Sequence, residues 1–174
     1  MLFIEDKDFL SNDEKQYIEE NFISDQFPLY QLFGDVNADG KSNTMLQHHI
    51  VERNTDNFNS KYYPFVHHLV SKFTQKHNLP YTKILRSAVN LTFKDKLSKC
   101  SPHTDHIEPH NQLIIYINEP LDKFANTVIL SEDEKTIEYS IQPEKYKAIC
   151  FESRPHFLYY PDFGTRMIII TTFI

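Results

Sequence analysis

From Ile84 the chain reads Ile84-Leu85-Arg86-Ser87-Ala88-Val89-Asn90-Leu91-Thr92-Phe93, and here the spacing of apolar residues changes to two. In an extended chain successive side chains alternate between faces, so Ile84, Arg86, Ala88, Asn90 and Thr92 share one side and Leu85, Ser87, Val89, Leu91 and Phe93 the other. That pattern predicts a strand whose apolar side packs on helices while Arg86 and Asn90 point inward. The same rhythm recurs downstream in short runs at 112–118, 127–131, 136–141, 146–152, 156–160 and 166–173, separated by turn residues. Several short strands at such intervals predict a mainly β protein, a sandwich or jelly roll.

Upstream the rhythm is helical. Ser11 and Glu14 have capping-box spacing, and Tyr17, Ile18 and Phe22 follow at helical intervals, which predicts a helix over 12–22. A second amphipathic helix is predicted over 60–77 from Tyr62, Phe65, Val66, Leu69, Val70 and Phe73, with Pro64 tolerated in its first turn. Between them, 34–59 is polar and rich in turn formers and is read as a long surface loop, a potential lid. The first eighty residues are therefore expected to form helical cover packed on the outer face of the major sheet. His48, His49, His67 and His68 are read as ordinary structural or surface residues, because neighbours on a helix diverge and no carboxylate is spaced to join them.

At 174 residues, with 40% apolar and 14% aromatic content, the chain can bury one substantial core, and 1–174 is read as one domain. A net charge of −6 argues against a protein built to grip a nucleic-acid backbone. Cys100 and Cys150 are too few for a disulfide framework and are read as free thiols of a reduced compartment. The start of the chain lacks the marks of a signal peptide, and the run Met167-Ile168-Ile169-Ile170 is too short to span a bilayer. The expected location is the cytoplasm.

The chemistry concentrates in the second half. In extended chain His103 and Asp105 of His103-Thr104-Asp105 project to one side, so a single metal can reach both. His156 opens a later strand, and the turn Pro161-Asp162-Phe163-Gly164 returns Arg166 alongside it. Two imidazoles and a carboxylate suit one face of an octahedral Fe(II), leaving positions for a chelating cosubstrate and dioxygen. Arg166 shares a face with Ile168, Ile170 and Thr172, where a guanidinium is costly unless it is paired, and its fork suits a carboxylate. His106 and His110 are expected to line the pocket mouth or face solvent.

Arg86-Ser87-Ala88-Val89-Asn90-Leu91-Thr92, Pro102-His103-Thr104-Asp105, Leu113-Ile114-Ile115-Tyr116-Ile117-Asn118, Phe151 with Pro155-His156, and Gly164-Thr165-Arg166 together resemble the iron(II)- and 2-oxoglutarate-dependent oxygenases of the double-stranded β-helix (jelly-roll, cupin-like) fold. The resemblance is strongest to prolyl-4-hydroxylase-like members found in phages; it covers about half the chain, over 84–174. It implies Fe(II) on His103, Asp105 and His156, with 2-oxoglutarate on Arg166 and O2 as co-reactant. Ascorbate is an optional reductant. Asn90, Tyr116 and Thr127 are the residues expected to assist the cosubstrate. The implied activity is hydroxylation of an unactivated C–H bond, first of all in a prolyl residue of a peptide or protein; small metabolites and nucleobases are the alternatives. Two departures stand out: no glycine precedes Thr127, and the tyrosine many such members carry before His-x-Asp is missing, with Thr92 and Phe93 in its neighbourhood. Without the resemblance, a non-catalytic jelly-roll binding module and a cupin-like metal enzyme that uses no keto acid remain open.

Overall fold

The computed structural model describes residues 2–32, 43–53, 55, 58 and 60–174. In chain order the elements are β1 (Phe3–Asp6), α1 (Asn12–Asn21), β2 (Tyr30–Leu32), β3 (Met45–Val51), α2 (Tyr63–Lys76), β4 (Ile84–Phe93), β5 (Asn111–Tyr116), β6 (Thr127–Leu130), β7 (Ile137–Ile141), β8 (Ala148–Glu152), β9 (His156–Leu158) and β10 (Thr165–Phe173). A seven-stranded sheet runs β1-β8-β5-β10-β4-β3-β2 and a three-stranded sheet runs β7-β6-β9, all pairings antiparallel. The architecture is a jelly roll with two helices.

Alternation along the strands divides the interior. Val89 of β4, Leu113 and Ile115 of β5 and Met167 and Ile169 of β10 face Ile18 of α1 and Val66, Leu69, Val70 and Phe73 of α2 in one apolar cluster. Their neighbours Ala88, Ile114, Tyr116, Ile168 and Ile170 turn the other way and meet Ile129 and Ile141 of the small sheet. The helices thus cover the outer face of the large sheet, and the inner face is left for a cavity. Ile84 is an exception to the expected face. A bulge places Phe173 opposite Ile84 where Thr172 is opposite Arg86, so Ile84 joins the helix-side cluster.

The first eighty residues are not only helical cover. Besides both helices they supply β1, β2 and β3, and β3 lies inside the segment read as a loop over 34–59. Its polar residues hid it. Gln47 is buried on the inner side, hydrogen-bonding Asn90 of β4, while Ile50 and Val51 are buried among the helix-side apolar residues. A strand lined by polar groups on its cavity side does not show a simple apolar alternation. Within 34–59 the lid reading also covers 34–42, 54, 56, 57 and 59, which lie outside the described residues.

The N-terminal cover is fastened by charge. Ser11 and Glu14 form the expected capping box. The Glu14 carboxylate also takes hydrogen bonds from His68 (2.8 Å) and Lys72 (2.5 Å) of α2, so one buried group ties the helices together. Cys150 is buried in the helix-side core, with its thiol pushed up to about 12 by burial, and Cys100 is likewise free. Among the described residues no helix is long and apolar enough to cross a membrane.

Burial alone would raise the Glu14 carboxyl, but Lys72, the Ser11 N–H and His68 outweigh it and pull its pKa from 4.5 to about 2. Because the folded value is depressed, its contribution is complete above pH 4.5 and disappears as pH falls through 2. Denaturant unfolding of Glu14→Gln should therefore be destabilised by roughly 2–3 kcal/mol at neutral pH and lose less stability than the wild type across that acid window.

Candidate active site

The strands that face each other across the inner space deliver their polar residues to one cavity of about 340 Å³. Its walls include His103, Asp105, His156, Arg166, Asn90 and Thr127, together with Arg53, Arg86, Cys100 and Gln112. Tyr116 stands just behind, hydrogen-bonded to Thr127 (2.8 Å).

His103 and His156 are held side by side by the backbone. They form an isolated antiparallel bridge, each N–H donating to the other's carbonyl at 3.0 and 2.9 Å, and their ring centroids are 4.6 Å apart. The Nδ1 of His103 contacts the Ser101 carbonyl (3.0 Å), and that of His156 contacts the Arg154 carbonyl (2.9 Å). A carbonyl can only accept, so both Nδ1 atoms carry a proton; burial works against a charge on His103, but the Cys100 side chain, the Ser101 carbonyl and Asp105 outweigh it and raise that imidazole to about 9, so its Nε2 is protonated too until a metal displaces the proton. His156, which stays neutral, thus presents the tautomer a metal requires.

Asp105 is buried, and its Oδ2 lies 3.7 Å from His156 Nε2 with no hydrogen-bond partner. Its Oδ1 accepts from Arg53 (3.2 Å) and Arg86 (3.4 Å). Burial tends to raise this carboxyl, but His156, Arg86, His103 and Arg53 together hold it below the usual carboxylate value. Burial drives His156 down to about 4, with His103 adding to the effect, so His156 is neutral at physiological pH. Among the described residues no group of three or more imidazoles, thiols or carboxylates is already closed into a metal-binding arrangement. The Gln112 amide sits against His156 Nε2 at 3.2 Å.

At the other end of the cavity Arg166 is 2% exposed. Its Nη2 donates to Thr127 Oγ1 at 2.7 Å and its guanidinium lies 5.3 Å from the Tyr116 ring centroid. Its Nε and Nη1 have no partner, and no described carboxylate pairs with it. A buried guanidinium left this way is expensive, and the group that relieves it is an anion entering the cavity. The start of β10 is clamped so that Arg166 is aimed there. The Met167 N–H donates to Asn118 Oδ1 (2.7 Å), and Asp122 accepts from the Phe124 and Asp162 N–H groups (2.8 and 2.7 Å). Gly164 supplies the positive φ of 71° in the turn, and a Cβ there would meet Leu121 at 3.0 Å. Asp122 thus braces the loop before Thr127 that carries no glycine.

His106 is at the expected mouth: it meets Thr172 (2.8 Å) and borders a second cavity shared with Arg53, Thr104 and Asp105. His110 is not. It is buried, its Nδ1 against Ser153 (2.7 Å) and the Glu108 carbonyl (2.9 Å), a knot that closes the loop before β5. His48 bonds the Pro28 carbonyl and Ser60, and His68 bonds Glu14, as structural residues do. Sequence reading missed Gln112 and Arg53. Gln112 had a legible signal, since it shares a strand face with Ile114 and Tyr116; Arg53 lies in a stretch with no regular pattern.

No protein-family model and no curated protein matches the sequence. Solved structures do match. A 2OG-Fe(II) oxygenase family oxidoreductase from Burkholderia pseudomallei superposes with a TM-score of 0.77 at 12% identity, over 98% of this chain and 84% of that one. A prolyl hydroxylase from Trichoplax adhaerens, in complex with a hypoxia inducible factor oxygen degradation domain peptide fragment, gives 0.65 at 15% identity, over 99% and 83%. The viral collagen prolyl hydroxylase of Paramecium Bursaria Chlorella virus-1, in a 2OG complex, gives 0.59 at 13% identity, over 99% and 95%. The chain has the fold of these oxygenases along nearly its whole length.

The unpaired guanidinium makes a stability prediction that involves no catalysis. Replacing it by an apolar side chain of similar length, Arg166→Met, should leave the ligand-free protein as stable as the wild type or up to about 2 kcal/mol more stable in urea unfolding, whereas a structural arginine would cost several kcal/mol.

Proposed function

We propose that the chain is an Fe(II)- and 2-oxoglutarate-dependent oxygenase, with His103, Asp105 and His156 as the metal ligands and Arg166 as the anchor of the cosubstrate's distal carboxylate. One observation carries this reading: the cavity has lone pairs at one end and an unmatched cation at the other. The neutral His156 Nε2, the His103 Nε2 once its proton leaves, and the unpartnered Asp105 Oδ2 suit a cation. The bare donors of Arg166 ask for an anion, and 2-oxoglutarate joined to a ferrous ion satisfies both ends at once. The donor set contains imidazole and carboxylate, which suits a redox iron better than a structural zinc.

When bound, iron and 2-oxoglutarate supply, with O2, the oxidising power to replace a C–H hydrogen by hydroxyl, releasing succinate and carbon dioxide. The residues of this chain bind, orient and shield. The Ser101 and Arg154 carbonyls fix both imidazoles, and Thr127 with Tyr116 holds the Arg166 fork in place. Ile114, Ile168 and Ile170 keep the middle of the cavity apolar, which strengthens the Arg166 ion pair. Asn90 is steered by Gln47 and completes the polar wall.

For the acceptor, a prolyl residue of a peptide or protein is the reading supported by the sequence resemblance, and two of the structures alike in fold are prolyl hydroxylases, one holding a peptide. The acidic composition favours neither a nucleic acid nor a polyanionic partner.

Anaerobic Fe(II) titration should give a visible charge-transfer band only when 2-oxoglutarate is added. Asp105→Ala should lose the band and the conversion of 2-oxoglutarate to succinate. Arg166→Ala should keep iron but weaken 2-oxoglutarate binding by roughly 2–4 kcal/mol, as expected when a buried ion pair loses one partner. A protein that binds iron but ignores 2-oxoglutarate would be the cupin-like enzyme, and one that binds neither would be a binding module.

A further inference from the structure

The inner face of β5 carries Tyr116, Ile114 and Gln112 at successive levels, and β10 sets Ile168, Ile170 and Thr172 opposite them. Tyr116 bonds the Thr127 that holds Arg166, whereas Thr172, opposite Gln112, bonds His106 at the mouth. From Arg166 to Thr172 the strand runs roughly 20 Å. Gln112 thus lies toward the open end of the cavity, against His156 and away from the cosubstrate's anchor. Its surroundings fix how the amide is turned. The His156 Nδ1 donates to the Arg154 carbonyl, so its Nε2 accepts, and the Gln112 atom 3.2 Å away is the N–H2. The other atom, Gln112 Oε1, has no partner. A single lone pair on His156 Nε2 serves either Gln112 or a metal, so in the loaded site both halves of this amide are unmet. At 1% exposure that costs free energy until a ligand supplies a complementary donor and acceptor.

Resting on the oxygenase reading above, we infer that the acceptor is an extended peptide and that Gln112 is the specificity-determining residue that receives its backbone. In extended chain the N–H and C=O of one residue point to the same side, so one side-chain amide pairs with both: Oε1 accepts the N–H and the N–H2 donates to the C=O. Proline has no N–H, so where a proline is hydroxylated the residue read by Gln112 is its neighbour. A ligand without that N–H leaves Oε1 unpaired beside the apolar Ile114 and Ile170, and a site built around a hydrogen bond rejects such a ligand strongly.

Nitrogen-15 NMR tests this without turnover, on the full chain loaded with diamagnetic Zn(II) and saturating 2-oxoglutarate. The Gln112 side-chain signals are those missing from the spectrum of Gln112→Met. N-acetyl-alanine methylamide should shift them. O-acetyl-lactic acid methylamide, the same shape with oxygen in place of the N–H, should bind the wild type at least about tenfold more weakly and the Gln112→Met variant about as well as the first probe does. Equal binding of the two probes by the wild type, no binding of either, unshifted Gln112 signals, or a preference that survives in Gln112→Met overturns the inference. A Gln112→Met variant that loses affinity for 2-oxoglutarate and keeps the preference overturns it too, since the amide then serves the cosubstrate. The visible band in the wild-type iron titration stands in each of these cases, so failure here is separable from failure of the oxygenase reading.

Discussion

A guanidinium sealed inside a β-sandwich, with no counter-charge among the described residues, is the constraint around which the rest of this molecule is arranged. Arg166 has 2% of its surface exposed and two donors unmet, on a strand whose neighbouring inward residues are isoleucines. Proteins tolerate such a cost where it is recovered on binding, because the same desolvation that penalises the empty site strengthens the ion pair in the filled one. The clamp by Asn118, the brace by Asp122 and the turn at Gly164 all fix where that charge points.

Topology explains why four residues spread over a third of the chain share one cavity. The order β1-β8-β5-β10-β4-β3-β2 puts β10 between β5 and β4 and seats Arg166 in the middle of the large sheet, while β9 carries His156 on the small one. The bridge between His103 and His156 then joins the segment before β5 to β9 through two backbone hydrogen bonds. The imidazoles are thereby positioned by main chain, while Asp105 is held by Arg53 and Arg86. In this arrangement Gln112 rests on His156.

Much of this was legible in the sequence because burial and period coincide. Along β4 and β10 the alternation separates the helix-side core from the cavity side, so Arg166 with Ile168 and Ile170, and Arg86 with Asn90, could be assigned to faces from spacing alone. The capping box at Ser11 and Glu14 and the first-turn proline of α2 gave both helices within a few residues. What was not legible has physical causes. β3 buries Gln47 against Asn90 and so lacked the apolar repeat by which a strand is recognised. The bulge near Phe173 switched the face of Ile84, and bulges leave little trace in composition. His110 is buried by a hydroxyl, Ser153, more than forty positions away. Arg53 reaches Asp105 across a similar separation, which no local pattern records.

The imidazoles of His103 and His156 and the Asp105 Oδ2 form one end of a ligand site and Arg166 the other. Its most direct test is an anaerobic crystal structure with Mn(II) and 2-oxoglutarate, using anomalous scattering to find the metal. A single metal peak is expected within coordination distance of His103 Nε2, Asp105 Oδ2 and His156 Nε2, with the dicarboxylate stretched from it to the Arg166 guanidinium and Gln112 turned away. A metal seated elsewhere, or a dicarboxylate that leaves Arg166 unpaired, would contradict it.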